Sequence, residues 1–298
     1  LFMKNYLIFL TLAFFFLVIT NNSYSLEKNS YFIGHAYGYH GNLDIPDKSL
    51  SNFLKKNNPN FIIFGGDLTE KEENFEIFKN YFKNFRYLAV RGNHDGELFK
   101  KIPFWRYKKI NGYSVYNLDM NEDMIFEKKN LIKLSNTIIV QHYIWYLRLF
   151  SDLPHNLPNS TMIEKINYKI KLFNSIQIPI ANSMYNSKII ERNEIKKINF
   201  GKDNIYLAGD CGAFKDRFSY AKTFFNSNTF ICSGIGSGWA NNVVNLNTLE
   251  PIFFDIDGNI INHECKETLG RLNNLIEFCL PIDDRADGLW DLLKKETS

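Results

Sequence analysis

An α/β fold is predicted by two features: short apolar runs alternate with stretches of helical spacing, and each early run closes on a small or polar cluster. The runs are Tyr31 to Ile33, Phe61 to Phe64, Tyr87 to Val90, Thr137 to Val140 and Ile205 to Ala208. They are short, rich in β-branched and aromatic residues, and bounded by Gly, Asn or Asp, as buried strands are. Between the early runs lie Ser49 to Lys56 and Lys71 to Phe85, where Phe75, Ile77, Phe78 and Phe82 fall partly at helical spacing.

The later chain is less regular. From Tyr143 to Lys202 the sequence carries Pro154, Pro158, Pro179 and many Asn and Ser residues, which reads as an irregular insertion over 143–202. Thr229 to Cys232, Ile252 to Ile256 and Asn259 to His263 read as further strands, with Asp257-Gly258 as a hairpin turn. Leu269 to Leu280 has helical character before Pro281, so 266–298 is expected to be a C-terminal helical tail after a domain spanning 26–265.

With 45% hydrophobic and 22% charged residues, the 298-residue chain has globular composition rather than that of a disordered one. A net charge of +3 leaves no concentrated basic footprint, so no nucleic-acid groove is evident. Lys4 and Asn5 precede an apolar run from Tyr6 to Ile19, followed by a polar patch ending Ser23-Tyr24-Ser25. This is the layout of a signal peptide over 1–25, cleaved after Ser25. The alternative is an uncleaved N-terminal anchor, the only route to a membrane that the sequence suggests. Export, periplasmic or extracellular, would place Cys211, Cys232, Cys265 and Cys279 where disulfides are permitted. Their spacing is not that of a zinc knuckle, leaving buried thiols or one or two disulfides.

The clusters that close the runs carry the chemistry. They are Gly34-His35-Ala36-Tyr37-Gly38, Gly66-Asp67, Gly92-Asn93-His94-Asp95, Gln141-His142 and Gly209-Asp210-Cys211-Gly212. In an α/β sheet the strand C-terminal ends open onto one crevice, where such side chains converge. Carboxylate, imidazole and amide donors together suit Mn, Fe or Zn better than Ca.

In this order the clusters resemble the calcineurin-like metallophosphoesterases, whose motifs run Asp-x-His, Gly-Asp, Gly-Asn-His-(Asp/Glu), a lone His, and Gly-His-x-His. Gly66-Asp67 and Arg91-Gly92-Asn93-His94-Asp95 match closely, and the resemblance covers roughly Tyr31 to Gly212. It implies a four-layer αββα sandwich of two mixed β-sheets flanked by helices. It also implies hydrolysis of phosphoric mono- or diesters by metal-bound hydroxide, with His94 as general acid and Asp95 orienting it. The metal residues carried over are Asp67, Asn93, His142 and Asp210, with His35 as a further donor.

Two motifs depart from the family. His35 and Tyr37 stand where the first motif has Asp and His, while Asp210 and Gly212 replace the two His of the fifth. One metal site is therefore expected to be remodelled, giving one or two ions. The carboxylate of Asp210 hardens the other site and favours Mn or Fe over Zn. Tyr37 either ligates or packs, and His40 reads as a loop residue. His155 and His263 lie outside the motifs. The Gly-rich run Ser233 to Trp239 lacks the ending of a phosphate loop, and Trp145 and Trp239 either line a subsite or pack.

The substrate expected is a phosphorylated small molecule, glycan or lipid-linked compound. The rival readings are a non-catalytic binding protein, or an envelope assembly protein, on a degenerate phosphoesterase scaffold.

Overall fold

The computed structural model describes residues 29–34, 36, 46–69, 73–92, 95, 105–110, 113–118, 134–143, 199–210, 219–233, 242–270 and 272–279. Fourteen strands and two helices are described in these segments. The first half supplies β1 (Ser30–Ile33), α1 (Lys48–Asn57), β2 (Phe61–Phe64), α2 (Asn74–Phe82), β3 (Tyr87–Ala89), β4 (Tyr107–Ile110), β5 (Tyr113–Leu118) and β6 (Thr137–Tyr143). The second supplies β7 (Ile205–Asp210), β8 (Tyr220–Phe225), β9 (Asn228–Ser233), β10 (Asn242–Asn245), β11 (Pro251–Phe254), β12 (Ile260–Ile261), β13 (Cys265–Leu269) and β14 (Leu275–Cys279).

Local signals account for the helix α1. Asp47 caps it by accepting from the Ser49 backbone N–H at 3.0 Å and from the Ser49 hydroxyl. Asn58 ends it in the left-handed region (φ 39°), its N–H donating to Leu54 O, and Pro59 follows. Lys55 and Lys56 in the last turn complement the helix dipole.

The strands form two mixed sheets. The first has the order β12-β11-β10-β1-β2-β3, and the second β13-β14-β8-β9-β7-β6-β5-β4. β1, β2 and β3 run parallel in the first, as do β5, β6, β7 and β9 in the second. Period-two alternation divides the side chains of the first sheet between two cores. Tyr31, Ile33, Ile62, Phe64, Val243 and Phe254 pack with Phe53 of α1 and Phe75, Phe78 and Phe82 of α2. Phe32, Phe61, Ile63, Val244 and Phe253 instead meet Val115, Ile138, Val140, Leu207 and Ile231 of the second sheet. Helix layer, sheet and sheet are thus stacked, and both described helices cover the outer face of the first sheet. The chain enters β7 through Asn204, whose side chain joins Thr137 N–H, Leu134 O and Phe200 O.

The helical tail expected over 266–298 needs correction. Cys265–Leu269 and Leu275–Cys279 are antiparallel strands, closed by a disulfide between Cys265 and Cys279, and β14 pairs with β8. The second sheet therefore continues to residue 279, past the expected domain boundary at 265. The apparent helical spacing of Leu272, Leu275, Ile276 and Cys279 spans a turn. Gly270 N–H donates to Asn274 O there, and Asn273 adopts φ 59°. Residues 280–298, and 144–198 of the expected insertion, lie outside the described residues.

The β11–β12 hairpin has Gly258 at φ 78°, as its turn sequence suggested, and Gly258 also lies against α1. A Cβ there would stand 2.3 Å from Phe53 N. Besides β13 and β14, four further strands were not read from the sequence. β4 and β5 pair as an antiparallel hairpin, and β8 and β10 complete the two sheets.

Candidate functional site

The C-terminal ends of β2 and β7, one from each sheet, touch through glycine. A Cβ on Gly65 would lie 2.5 Å from Gly209 Cα, and one on Gly209 would lie 2.0 Å from Gly65 O. No larger residue permits this approach, which joins the Gly-Asp cluster after β2 to the end of β7. Beyond Gly65 the chain turns through positive φ at Gly66 (98°) and Asp67 (52°). The Asp67 conformation is uncommon for a residue with a side chain. The turn carries the Asp67 carboxylate inward, where it is buried.

His142 meets it from β6. Ile138 and Val140 of that strand face the core between the sheets, so His142 faces the same way. Its Nδ1 lies 2.7 Å from Gly65 O, and its Nε2 lies 3.3 Å from Asp67 Oδ2. A carbonyl only accepts, so Nδ1 must donate, which leaves Nε2 as the nitrogen facing the carboxylate. That nitrogen either carries a proton, making an ion pair, or presents its lone pair to a cation that Asp67 also holds. Positive charge belongs between the two groups in both cases. The backbone carbonyl orients the ring as partners of metal-binding histidines do. In donor chemistry the pair fits a divalent ion. Among the described residues no group of three or more His, Cys, Asp or Glu gathers as a metal cage.

Asp95 secures the loop. Its Oδ2 accepts from Asp67 N–H at 3.0 Å and Gly92 N–H at 2.6 Å, and its Oδ1 accepts from Leu68 N–H at 2.6 Å. These bonds go to the backbone and tie the third cluster to the second, while the expected bond to His94 falls outside the described residues. Burial, then the like charge of Asp67, pushes the Asp95 carboxyl up to about 7, against the pull of the Gly92 and Leu68 N–H donors and of His142. A cation at Asp67 would offset the like-charge part of that shift.

The structure thus brings together Asp67, Asp95 and His142 of the expected set. Asp210 closes β7, its backbone paired opposite Tyr143 of β6. The Asp210 side chain, together with His35, Tyr37, Asn93, His94, His40, His155, Trp145 and Trp239, lies outside the described residues. His263 packs against Phe253, with ring centroids 4.2 Å apart. Gly92 went unremarked in the sequence beyond its motif. A Cβ there would stand 2.1 Å from Asp67 Oδ1. The signal was present, because a glycine beside a chemical residue often marks close backbone approach.

Residues 38–178 match the family model of calcineurin-like phosphoesterases. The matched segment contains Asp67, Asn93, His94, Asp95 and His142, whereas His35 and Asp210, from the two divergent motifs, fall outside it. A search of curated proteins gives no match.

Proposed function

We propose that the chain is a metallophosphoesterase that hydrolyses phosphoric mono- or diesters at the crevice where β2, β6 and β7 end, a reading supported by the match of residues 38–178 to the calcineurin-like phosphoesterase family. The observation that carries this reading is the buried Asp67–His142 pair, with the His142 ring oriented by Gly65 O. Asp67 and His142 would hold a divalent ion, joined by Asn93 and Asp210, with His35 as a further donor. Mn or Fe is favoured over Zn because carboxylate and amide oxygens outnumber imidazole in that set. The ion supplies Lewis acidity toward water and phosphoryl oxygens.

The remaining work falls to the chain's own residues. Asp95 fixes the Asp67 backbone against Gly92, so the carboxylate keeps its aim when a charged substrate enters. His94, beside Asp95 in sequence, delivers a proton to the leaving alcohol oxygen. Export is part of the same proposal. The Cys265–Cys279 disulfide supports it, as does the disulfide bonding of Cys232, since such bonds persist in oxidising compartments. The phosphorylated substrate would then be met outside the cytoplasm.

The test combines metal content with turnover of phenyl phosphate and a diaryl phosphate, for the parent protein and for Asp67→Asn, His142→Ala and His94→Ala. Loss of metal in the first two variants, and of turnover in all three, is expected. A protein that takes up no metal after loading with Mn, Fe or Zn, and turns over neither ester, is instead a binding or assembly protein on this scaffold.

A further inference from the structure

Cys232 of β9 is disulfide-bonded and fully buried. The chain has 4 cysteines, and Cys265 is joined to Cys279. Within one chain the partner of Cys232 is therefore Cys211. That residue lies outside the described residues, and in sequence it follows directly on Asp210, which closes β7. Cys232 alternates with Ile231, which packs between the sheets, so the bond is made on the side of the second sheet opposite the Asp67–His142 pair. Its sulfur is no donor to an ion there.

Topology brings the two cysteines together. β9 lies between β7 and β8 in the second sheet. β7 runs parallel to β9 and β8 antiparallel to it, so β7 ends and β8 begins at the end of the sheet where β9 finishes. The connection over 211–219 has to pass the end of β9, and Cys232 stands there, one residue before the strand closes at Ser233. Register then limits the path. Ala208 is opposite Cys232 in the pair β7–β9. Were β7 to run straight on, Cys211 would stand about 10 Å further along the sheet than Cys232. A disulfide spans no more than about 7 Å between Cα atoms. The chain must therefore leave the line of the strand right after Asp210, and the bond fixes where it turns.

The backbone of Asp210 is thus held from both directions. Before it, Gly209 packs against Gly65, and Asp210 itself pairs opposite Tyr143, the neighbour of His142. After it, the disulfide begins at the next residue. The fifth cluster has little else to hold it, because Gly212 has no side chain where the family's motif has its second His. An ion could tether this turn through one residue rather than two. Resting on the metal reading above, we infer that the Cys211–Cys232 disulfide is a positioning device for the site. It takes the place of the missing second donor, fixing the turn after β7 so that Asp210 can join Asp67 and His142 at a divalent ion. Residues that orient a ligand without touching the metal commonly matter about 10- to 100-fold in affinity.

The experiment has two parts. Peptide mapping of the intact protein without reductant is expected to recover Cys211 linked to Cys232, and either residue found free or paired otherwise overturns the inference. Calorimetric titration with Mn then compares the parent, Asp210→Asn, the double variant Cys211→Ala with Cys232→Val, which refills the buried position, and the triple combination. Urea unfolding shows that each is folded, and Cys211→Ala with Cys232→Ala serves as a second double variant. Removing the disulfide is expected to weaken Mn binding about 10- to 100-fold. In the Asp210→Asn background the same change should cost less than about twofold, because the residue it positions is gone. A merely structural bond would lower stability without that coupling. Losses that add independently, or an Mn affinity that ignores the cysteine changes, overturn the role. So does an equal loss in Cys265→Ser with Cys279→Ser, which would mark general loosening. A parent that takes up no Mn overturns the metal reading and this role with it. A parent that shows the coupling yet hydrolyses neither aryl ester refutes the hydrolase reading alone and leaves the disulfide's role standing.

Discussion

At Gly92 the missing side chain matters more than any that could be added, because Asp67 Oδ1 would lie 2.1 Å and Asp67 N 2.2 Å from a Cβ there. Both contacts are far inside van der Waals separation, and neither neighbour is a flexible side-chain end that can swing away. Asp67 is held through its own N–H by Asp95, which also accepts from Gly92 N–H. Gly92→Ala must therefore move the carboxylate or break the clamp. It is expected to weaken metal binding at least about tenfold and to destabilise the fold by about 1–3 kcal/mol, in the range of other overpacking substitutions. Metal titration and urea unfolding measure the two effects. Unchanged values for both would mean that the loop is not packed as described. The sequence made Asp67 and His142 legible as partners through motif order alone. It could not show that Gly65 O selects the His142 tautomer, or that the Asp95 bonds go to backbone N–H groups, because both depend on how β2 and β6 meet across the two sheets.

At the scale of elements, sequence reading succeeded where one face of one segment carried the signal. α1 has its cap, its stop and its buried face within its own residues, and β1, β2 and β6 are short apolar runs bounded by small or polar residues. It failed where partners are remote. β4 presents an exposed pattern, with Lys108 and Lys109 at a sheet edge, and gains its identity only by pairing with β5. β13 and β14 imitated a helix because their turn falls in the middle of the apolar spacing. The covalent bond between Cys265 and Cys279 is what makes that hairpin more than a pair of partly exposed strands, since Leu269 and Leu275 contribute little burial. Closing a segment of 14 residues is worth about 3 kcal/mol through the entropy of the unfolded chain. Replacing both cysteines with serine should lower stability by about that amount, read from urea denaturation of the double variant. No change would mean that the pairing of β14 with β8 alone fixes the hairpin.

At the scale of the whole molecule, the two sheets are joined by more than their shared core. Lys222 of β8 forms ion pairs with Glu250, in the connection between β10 and β11 of the first sheet, and at 2.9 Å with Glu277 of β14 in the second. Tyr220, on the same face of β8, donates its hydroxyl to Leu249 O at 2.7 Å. These contacts tie strands that come from distant parts of the chain, so they report on docking of one sheet against the other rather than on the stability of either alone. Burial works against the Lys222 ammonium, but its bonds to Glu250 and Glu277 outweigh that and hold its pKa above the ordinary 10.5. The sign of the linkage follows. With a raised folded pKa, the stabilisation is fully present below the ordinary value and is lost as pH climbs through the folded one. Glu250 is half exposed, so solvent screening keeps the contribution to about 1 kcal/mol. Lys222→Met should accordingly lower unfolding stability by about that much at pH 8. The gap between parent and variant should narrow once the pH exceeds 10.5. It should also narrow in high salt, which weakens an exposed ion pair. Urea unfolding at pH 8, in low and high salt, with a second series at alkaline pH, separates charge from packing. A gap that ignores both pH and salt would assign the role of Lys222 to its buried methylene stem rather than to its charge.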